Sequence, residues 1–197
     1  MPLLIEQIRN SLLSSAAPFL TGDRDFGSDD RDIKAPLVPA AVLVPIIRTP
    51  EPRLLLTIRT AHLRTHAGQV AFPGGRIDAG DESPVAAALR EAREEIGLDS
   101  AHVDVIGVAT PYQTGTGYSV LPVVGAIEPG LPFVANPDEV DDVFEVPLDF
   151  ALDPANHIIR EAEWKGRMRR FYVIEWENRT IWGATAGMLV NLSARLR

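Results

Sequence analysis

The stretch FPGGRIDAGDESPVAAALREAREEIGL, residues 72–98, runs from two adjacent glycines through a polar turn into a segment crowded with glutamates. Ser83 followed by Pro84 is a helix start, because a serine oxygen can accept from a free first-turn N–H and proline suits the first turn. Gly97 is a natural stop, since helices commonly end on a left-handed residue. Between them Val85, Leu89, Ala92 and Ile96 are spaced four, three and four residues apart, which makes one apolar stripe for packing. At about 100° per residue, Glu91, Glu94 and Glu95 are expected on the side away from that stripe. Like charges so close weaken a helix. Three carboxylates converging from one helix face are also a candidate seat for a hard divalent cation, which takes oxygen ligands and offsets the repulsion. The plainer reading is a solvated acidic face with Arg90 and Arg93 as local partners. The flanks weigh against it. Gly74 and Gly75 permit close backbone approach, and they lead into a capped helix, so the stretch is a strand–loop–helix unit.

The rest of the chain bounds what that unit belongs to. With 197 residues, 46% hydrophobic and 23% charged, the composition is that of an ordinary globular domain. No run is long and apolar enough to span a bilayer, and the first residues lack the basic start of a signal peptide. The absence of cysteine rules out disulfides, thiolate-bound zinc and a thiol nucleophile, and a cytoplasmic protein is expected. A net charge of −8 argues against a nucleic-acid binder. The charge is uneven: residues 46–76 carry Arg48, Arg53, Arg59, Arg64 and Arg76 with His62 and His66, against Glu51 as the lone acid. The following segment and residues 136–163 are acidic. A basic segment beside an acidic one can hold a polyanion and a divalent metal together, whereas the alternative is a set of arginines that solvate a surface.

Leu3, Leu4, Ile8, Leu12 and Leu13 recur at helical spacing, so a short amphipathic helix opens the chain. Residues 21–36 are polar and read as a connector, which sets a boundary between 1–36 and a domain over 37–197. LVPAAVLVPII and RLLLTIR are strand-like runs joined by TPEP, a hairpin signal. VDVIGVAT, YSVLPVVGAI and RRFYVIEW are further strands, and TAGMLVNLSARL is a closing helix. Strands mixed with a few helices predict a layered domain of α+β or α/β class.

The quoted stretch resembles the Nudix box, in which a glycine, five residues, a glutamate and seven residues precede REUxEExGU, U being aliphatic. Glu82, seven residues and then REAREEIGL from Arg90 to Leu98 fit the second half, with Ala92 as a small aliphatic residue. The first half departs: six residues separate Gly75 from Glu82, so the loop carries one more than the pattern. The resemblance implies an α+β fold, an α/β/α sandwich with a central mixed β-sheet flanked by helices, and hydrolysis of a nucleoside diphosphate linked to another moiety. It implies Glu91, Glu94 and Glu95 as ligands of Mg²⁺ or Mn²⁺, Glu91 and Glu95 above all. Arg90 would orient a glutamate and Glu82 would brace the loop. Divalent cations suit this chemistry because they neutralise phosphate oxygens and make water nucleophilic.

Upstream, LLTIRTAHLRTHAGQVAFPGG, residues 55–75, resembles the signature that precedes the box in coenzyme A pyrophosphatases of bacterial type. Leu55, Leu56, Thr57, Arg59, Arg64, Gly68 and FPGG fit, Thr60 replaces the usual serine or alanine, and the longer loop is a feature of that subfamily. IWGATAGML is similar to the family's final helix start. The implied reaction splits coenzyme A into 3′,5′-ADP and 4′-phosphopantetheine, with acyl esters or the oxidised disulfide as related substrates. Several phosphates call for several cations. Arg59 and Arg64 are candidates because guanidinium forks fit phosphate, His66 is a further one, and Gly74 and Gly75 would line the same site. Candidate bases are Glu94 and Glu95, or Glu139 of the loop within NPDEVDDVFEVPL, where Asp141 and Asp142 also stand; FEVPL resembles a strand and turn common in Nudix proteins, so Glu145 reads as structural.

Three rivals remain in view. A pyrophosphatase for ADP-ribose or other nucleotides shares the box but not the upstream signature. A non-catalytic ligand-sensing module would be expected to have lost box glutamates. An isopentenyl diphosphate isomerase needs a catalytic cysteine. The expected partner is a small molecule, with neither membrane nor nucleic acid, and the protein is read as a monomer or homodimer.

Overall fold

A computed structural model describes residues 3–13, 20–23, 36–63, 65–164 and 166–197. In chain order the elements are α1 (Leu3–Leu12), β1 (Val38–Ile47), β2 (Arg53–Arg59), β3 (Val70–Ala71), β4 (Gly74–Arg76) and α2 (Pro84–Ile96). Then follow β5 (Val103–Val108), β6 (Tyr112–Gln113), β7 (Tyr118–Ile127), β8 (Val140–Pro147), α3 (Leu148–Leu152), β9 (Ile158–Trp164), β10 (Arg167–Trp176), β11 (Arg179–Trp182) and α4 (Gly183–Ala194).

The apolar runs of β1, β2 and β7 are strands buried on both faces, so their side chains alternate between two cores. Ala40, Val44, Ile46, Leu54, Leu56, Val120, Val124 and Ala126 point into one core. Ala41, Leu43, Ile47, Leu55, Val123 and Ile127 point into the other. The first core is covered by α4, α3 and α1, with Leu189, Leu148, Ile5 and Ile8 among its members. The second is covered by α2 through Ala87, Ala88, Ala92 and Ile96. The sheet is mixed: β1 and β7 pair in parallel along their whole length, while β1 with β2, β2 with β8 and β5 with β7 are antiparallel. This is the expected α/β/α sandwich.

The helix α1 is not a loose appendage. Ile5 and Ile8 are fully buried, each worth about 1.5–3 kcal/mol of apolar burial, and Arg9 pairs with Asp104 on β5 at 3.0 Å. Asn191 of α4 fixes Leu20 at both its backbone groups, at 2.7 and 2.9 Å. Most of the expected connector, residues 24–35, lies outside the described residues. Sequence patterning missed β9, which with β10 and β11 forms a second, three-stranded antiparallel sheet, and it missed the short α3. Among the described residues no helix is long and apolar enough to cross a membrane.

One irregularity of the main sheet positions the site. β7 takes one edge of β1, and β8 takes one edge of β2. On the facing edges β1 and β2 pair only at Ile46–Leu54 and Ile47–Arg53, and then diverge. Residues 70–76 cross this opening, first as β3 on β2 and then as β4 on β1. At the crossing, the Leu43 N–H donates to the Pro73 carbonyl at 2.8 Å.

Candidate active site

The caps of α2 are those the sequence predicts. The Ser83 hydroxyl accepts from the Ala86 N–H, and Gly97 ends the helix at φ 69°. The helix is rotated from the expected face, however. Val85 and Leu89 are half-buried, whereas Ala88, Ala92, Glu95 and Ile96 lie against the sheet. The expectation that all three glutamates point away from the apolar stripe is therefore corrected. The Glu95 side chain is 3% exposed and that of Glu91 16%, while Glu94 is 54% exposed. The physical reason is size: small alanines let α2 approach β4 closely, and Glu95 stands one turn beyond Ala92 on that same close-packed side.

The two glycines of β4 make room for a carboxylate on one side and for the backbone of β1 on the other. A Cβ on Gly75 would lie 2.5 Å from Glu91 Oε1, and one on Gly74 would lie 2.5 Å from the Ala41 carbonyl oxygen. The Gly74 N–H donates to Glu95 Oε2 at 3.2 Å. From β2, Arg59 brings Nη1 to 3.7 Å from Glu95 Oε1. The β2–β8 pairing slips beyond Ile58, so that Arg59 stands opposite Val140, immediately after Glu139. Bulges of this kind re-aim side chains beside functional sites. The loop before β8 is tied down by the Thr60 N–H, which donates to the Glu139 carbonyl at 3.0 Å, and by Asn136 N–H to Glu95 O at 2.8 Å. His62 contacts the Asp138 carbonyl at 3.2 Å.

Burial dominates the titration of this cluster. It pushes Glu95 up to about 8, and Glu91 and Glu139 add to the shift while the Gly74 N–H and Arg59 oppose it. Burial likewise raises Glu91 above the ordinary carboxylate range, Arg90 opposing and Glu94 and Glu139 adding. Glu91, Glu95 and Glu139 thus share one negative field, although they come from two separate segments.

The geometry now meets its relatives. The family model described as NUDIX domain matches residues 37–168, two thirds of the chain. The chain belongs to the Nudix hydrolase family. It is 49% identical over 157 residues to proteins named "Uncharacterized Nudix hydrolase NudL" from Escherichia fergusonii and Escherichia coli K12, covering 80% of this chain and 82% of each of theirs. Among solved structures it resembles the Nudix hydrolase RenU of M. smegmatis, at 26% identity and a TM-score of 0.50 over 58% of this chain and 73% of that one.

Within the Nudix box the structure reassigns one role. Glu82, expected to brace the loop, is exposed. Asp81 does the bracing: its two oxygens take Arg90 Nε at 2.9 Å and Nη2 at 3.0 Å, and Oδ2 also accepts from the Asp78 N–H. Five residues separate Gly75 from Asp81, so the extra residue of this loop sits between the brace and the helix. Arg90 then bridges Glu91 Oε1 and Glu94 Oε2, both at 2.9 Å, and donates to the Arg76 carbonyl. The hydrogen bonds from Arg90 hold the Asp81 carboxyl below its usual range. We expect Asp81→Asn to lower turnover about tenfold, as loss of a supporting partner commonly does, while Glu82→Gln stays within about twofold. Steady-state rates of the two variants check this.

Other candidates separate. Arg64 lies outside the described residues. His66, exposed and at φ 58°, holds Gln69 Oε1 through Nδ1 at 2.9 Å rather than reaching the glutamates. Asp141 and Asp142 stand on β8, not in a loop, and Glu145 stands on the same strand, as the reading of FEVPL implies. Asp142 pairs with Arg179 at 2.8 Å and Glu145 with Arg53 at 2.6 Å, both structural roles. Among the described residues no three acids or histidines come together closely enough to hold a metal, so the threefold convergence expected from one helix face is not present. The donor chemistry nevertheless fits a hard cation: Glu91 and Glu95 are desolvated oxygen donors beside an open glycine backbone, and the field of Glu139 raises both.

Proposed function

We propose that this Nudix hydrolase cleaves the diphosphate of coenzyme A, free or as its thioester or disulfide, to 3′,5′-ADP and 4′-phosphopantetheine. The observation that carries the reading is the approach of Arg59 to Glu95 at 3.7 Å. It ties the arginine signature upstream of the box to the glutamates within it. A nucleotide hydrolase needs the glutamates; a ligand with a further phosphate calls for added guanidinium groups nearby.

Glu91 and Glu95 are the residues that would hold Mg²⁺ or Mn²⁺, with Glu94 at the solvent side. Bound there, the cation supplies positive charge to the diphosphate oxygens and acidifies a water. The chain's own groups do the rest. Arg90, fixed by Asp81, holds Glu91 and Glu94 in place. The Gly74 N–H orients Glu95. Arg59, a quarter exposed, offers its outer face to a phosphate, and the arginine signature of the sequence adds Arg64 and His66 as candidate partners of the 3′-phosphate. Glu139 takes the proton as the water oxygen bonds to phosphorus. The bridging P–O bond breaks, and its electron pair stays with the departing phosphate.

The test compares kcat/KM for coenzyme A, ADP-ribose and nucleoside triphosphates with Mg²⁺ or Mn²⁺. Coenzyme A is expected to lead by at least about tenfold, a difference of about 1.4 kcal/mol in transition-state binding. A lead for ADP-ribose would move the substrate assignment to the neighbouring class. No turnover of any diphosphate would favour a ligand-sensing module.

A further inference from the structure

The segment that orients Glu95 is itself held from both faces of the sheet. It crosses the gap between β1 and β2 with only two residues, Val70 and Ala71, paired to β2 before Phe72 begins the crossing. Two threonine hydroxyls reach the carbonyls of this short strand, that of Val70 on the side away from β2 and that of Ala71 beside its strand partner. Thr185, 8% exposed and in the first turn of α4, donates through Oγ1 to the Val70 carbonyl at 3.1 Å. Thr57 of β2, 1% exposed, donates through Oγ1 to the Ala71 carbonyl at 3.1 Å. Pro73 O is taken by Leu43 N–H, Gly74 N–H by Glu95, and Arg76 O by Arg90. Every support in that series except the two threonines is backbone, or belongs to the box itself.

From this arrangement we infer that Thr185 and Thr57 are positioning residues, which act through Val70 and Ala71 to set where the Gly74 N–H meets Glu95. Thr185 is the more telling of the two. It lies in the layer opposite α2, so it couples the closing helix to the glutamates across the thickness of the sheet. Removing its hydroxyl leaves a buried carbonyl without a partner, and the chain must shift or admit water to satisfy it. Because Gly74 stands four residues further along a crossing in which Phe72 and Pro73 belong to no strand and Pro73 is held through its carbonyl by Leu43, such a shift is passed on to Glu95. Displacements well under 1 Å at reacting groups are costly in rate. The inference rests on the reading of Glu95 as a ligand at the reaction centre.

Thr185→Val keeps the shape and removes the hydroxyl, and Thr185→Ser keeps the hydroxyl. In the full chain with Mg²⁺ and coenzyme A, Thr185→Val is expected to lower kcat about tenfold with KM within about twofold, and Thr185→Ser to restore kcat. In metal-free protein, the Gly74 amide should exchange with solvent faster and shift its NMR resonance in Thr185→Val, and return to the wild-type position in Thr185→Ser. If wild-type protein does not turn over coenzyme A, the substrate reading fails on its own, and the amide measurement still decides this inference. An unmoved Gly74 amide, or a Thr185→Ser variant as impaired as Thr185→Val, overturns it. Should Thr185→Val not fold, the pair Thr57→Val and Thr57→Ser is judged by the same readings.

Discussion

Glu95→Gln is expected to lose at least about a hundredfold in rate and, in metal-free buffer near pH 9, to melt at a higher temperature than wild type. The two effects have one cause. Glu95 is buried beneath β4 with, among the described residues, the Gly74 N–H and a distant guanidinium as partners, and burial lifts it from an ordinary 4.5 to about 8. The folded state therefore holds this proton more tightly than the unfolded chain does. Stability from that preference is present in full below about pH 4.5 and is lost as pH rises through about 8. At roughly 1.4 kcal/mol per unit of pKa, the loss amounts to several kcal/mol at most. Glutamine is neutral at every pH and can still accept from the Gly74 N–H, so the variant escapes the loss. Melting curves in chelator from pH 5 to 9 check this: the wild type should fall relative to Glu95→Gln as pH rises. A difference independent of pH, or a variant that melts lower throughout, would contradict the placement of this carboxylate.

Gly74→Ala should be more damaging than its size suggests. The new methyl would stand 2.5 Å from the Ala41 carbonyl oxygen and 2.6 Å from Val42 Cα. Both are backbone atoms of β1, so no side chain can turn away to relieve the overlap, and the β1–β4 pairing must part. Overpacking of this kind costs about 1–3 kcal/mol or more. The same movement withdraws the Gly74 N–H from Glu95, so activity is expected to fall at least about a hundredfold even at temperatures where the variant is folded. Gly80→Ala is the control, because it lies in the loop that follows β4 with no atom within 4 Å of the added carbon. It should keep both its melting temperature and its rate. Equal behaviour of the two variants in thermal melts and rate assays would show that the close approach of β1 and β4 does not constrain the site.

Much of this fold can be read from local pattern. Ser83, Pro84 and Gly97 bound α2 because caps are decided within one turn of chain, and the β1 and β2 runs carry a turn between them. What local pattern does not carry is pairing over distance. The parallel contact of β1 with β7 joins Val38 to Tyr118 across eighty residues, and the opening between β1 and β2 appears only once both sides are occupied. β9 escapes notice because IIREAEW mixes exposed apolar and charged residues on a hairpin that projects from the core: Ile158 and Ile159 are 43% and 52% exposed. At the site, residue types were legible and orientations were not. Glutamates one turn apart announce an anionic cluster, yet whether Glu95 faces water depends on how closely Ala88 and Ala92 let the helix approach. Asp81 and Glu82 are adjacent acids, and only the path of the loop decides which one meets Arg90. The spacing of five residues from Gly75 to Asp81 was the available signal for that choice.

Hydrolysis of coenzyme A by way of the glutamates beneath Gly74 and Gly75 is the activity proposed. Its most direct test is chromatographic and mass analysis of the products after coenzyme A is incubated with the protein and Mg²⁺, beside Glu95→Gln under the same conditions. Equal amounts of 3′,5′-ADP and 4′-phosphopantetheine are expected from the wild type, and at least about a hundredfold less of both from the variant. Failure to form 3′,5′-ADP with any divalent metal, or its formation at an undiminished rate by Glu95→Gln, would contradict it.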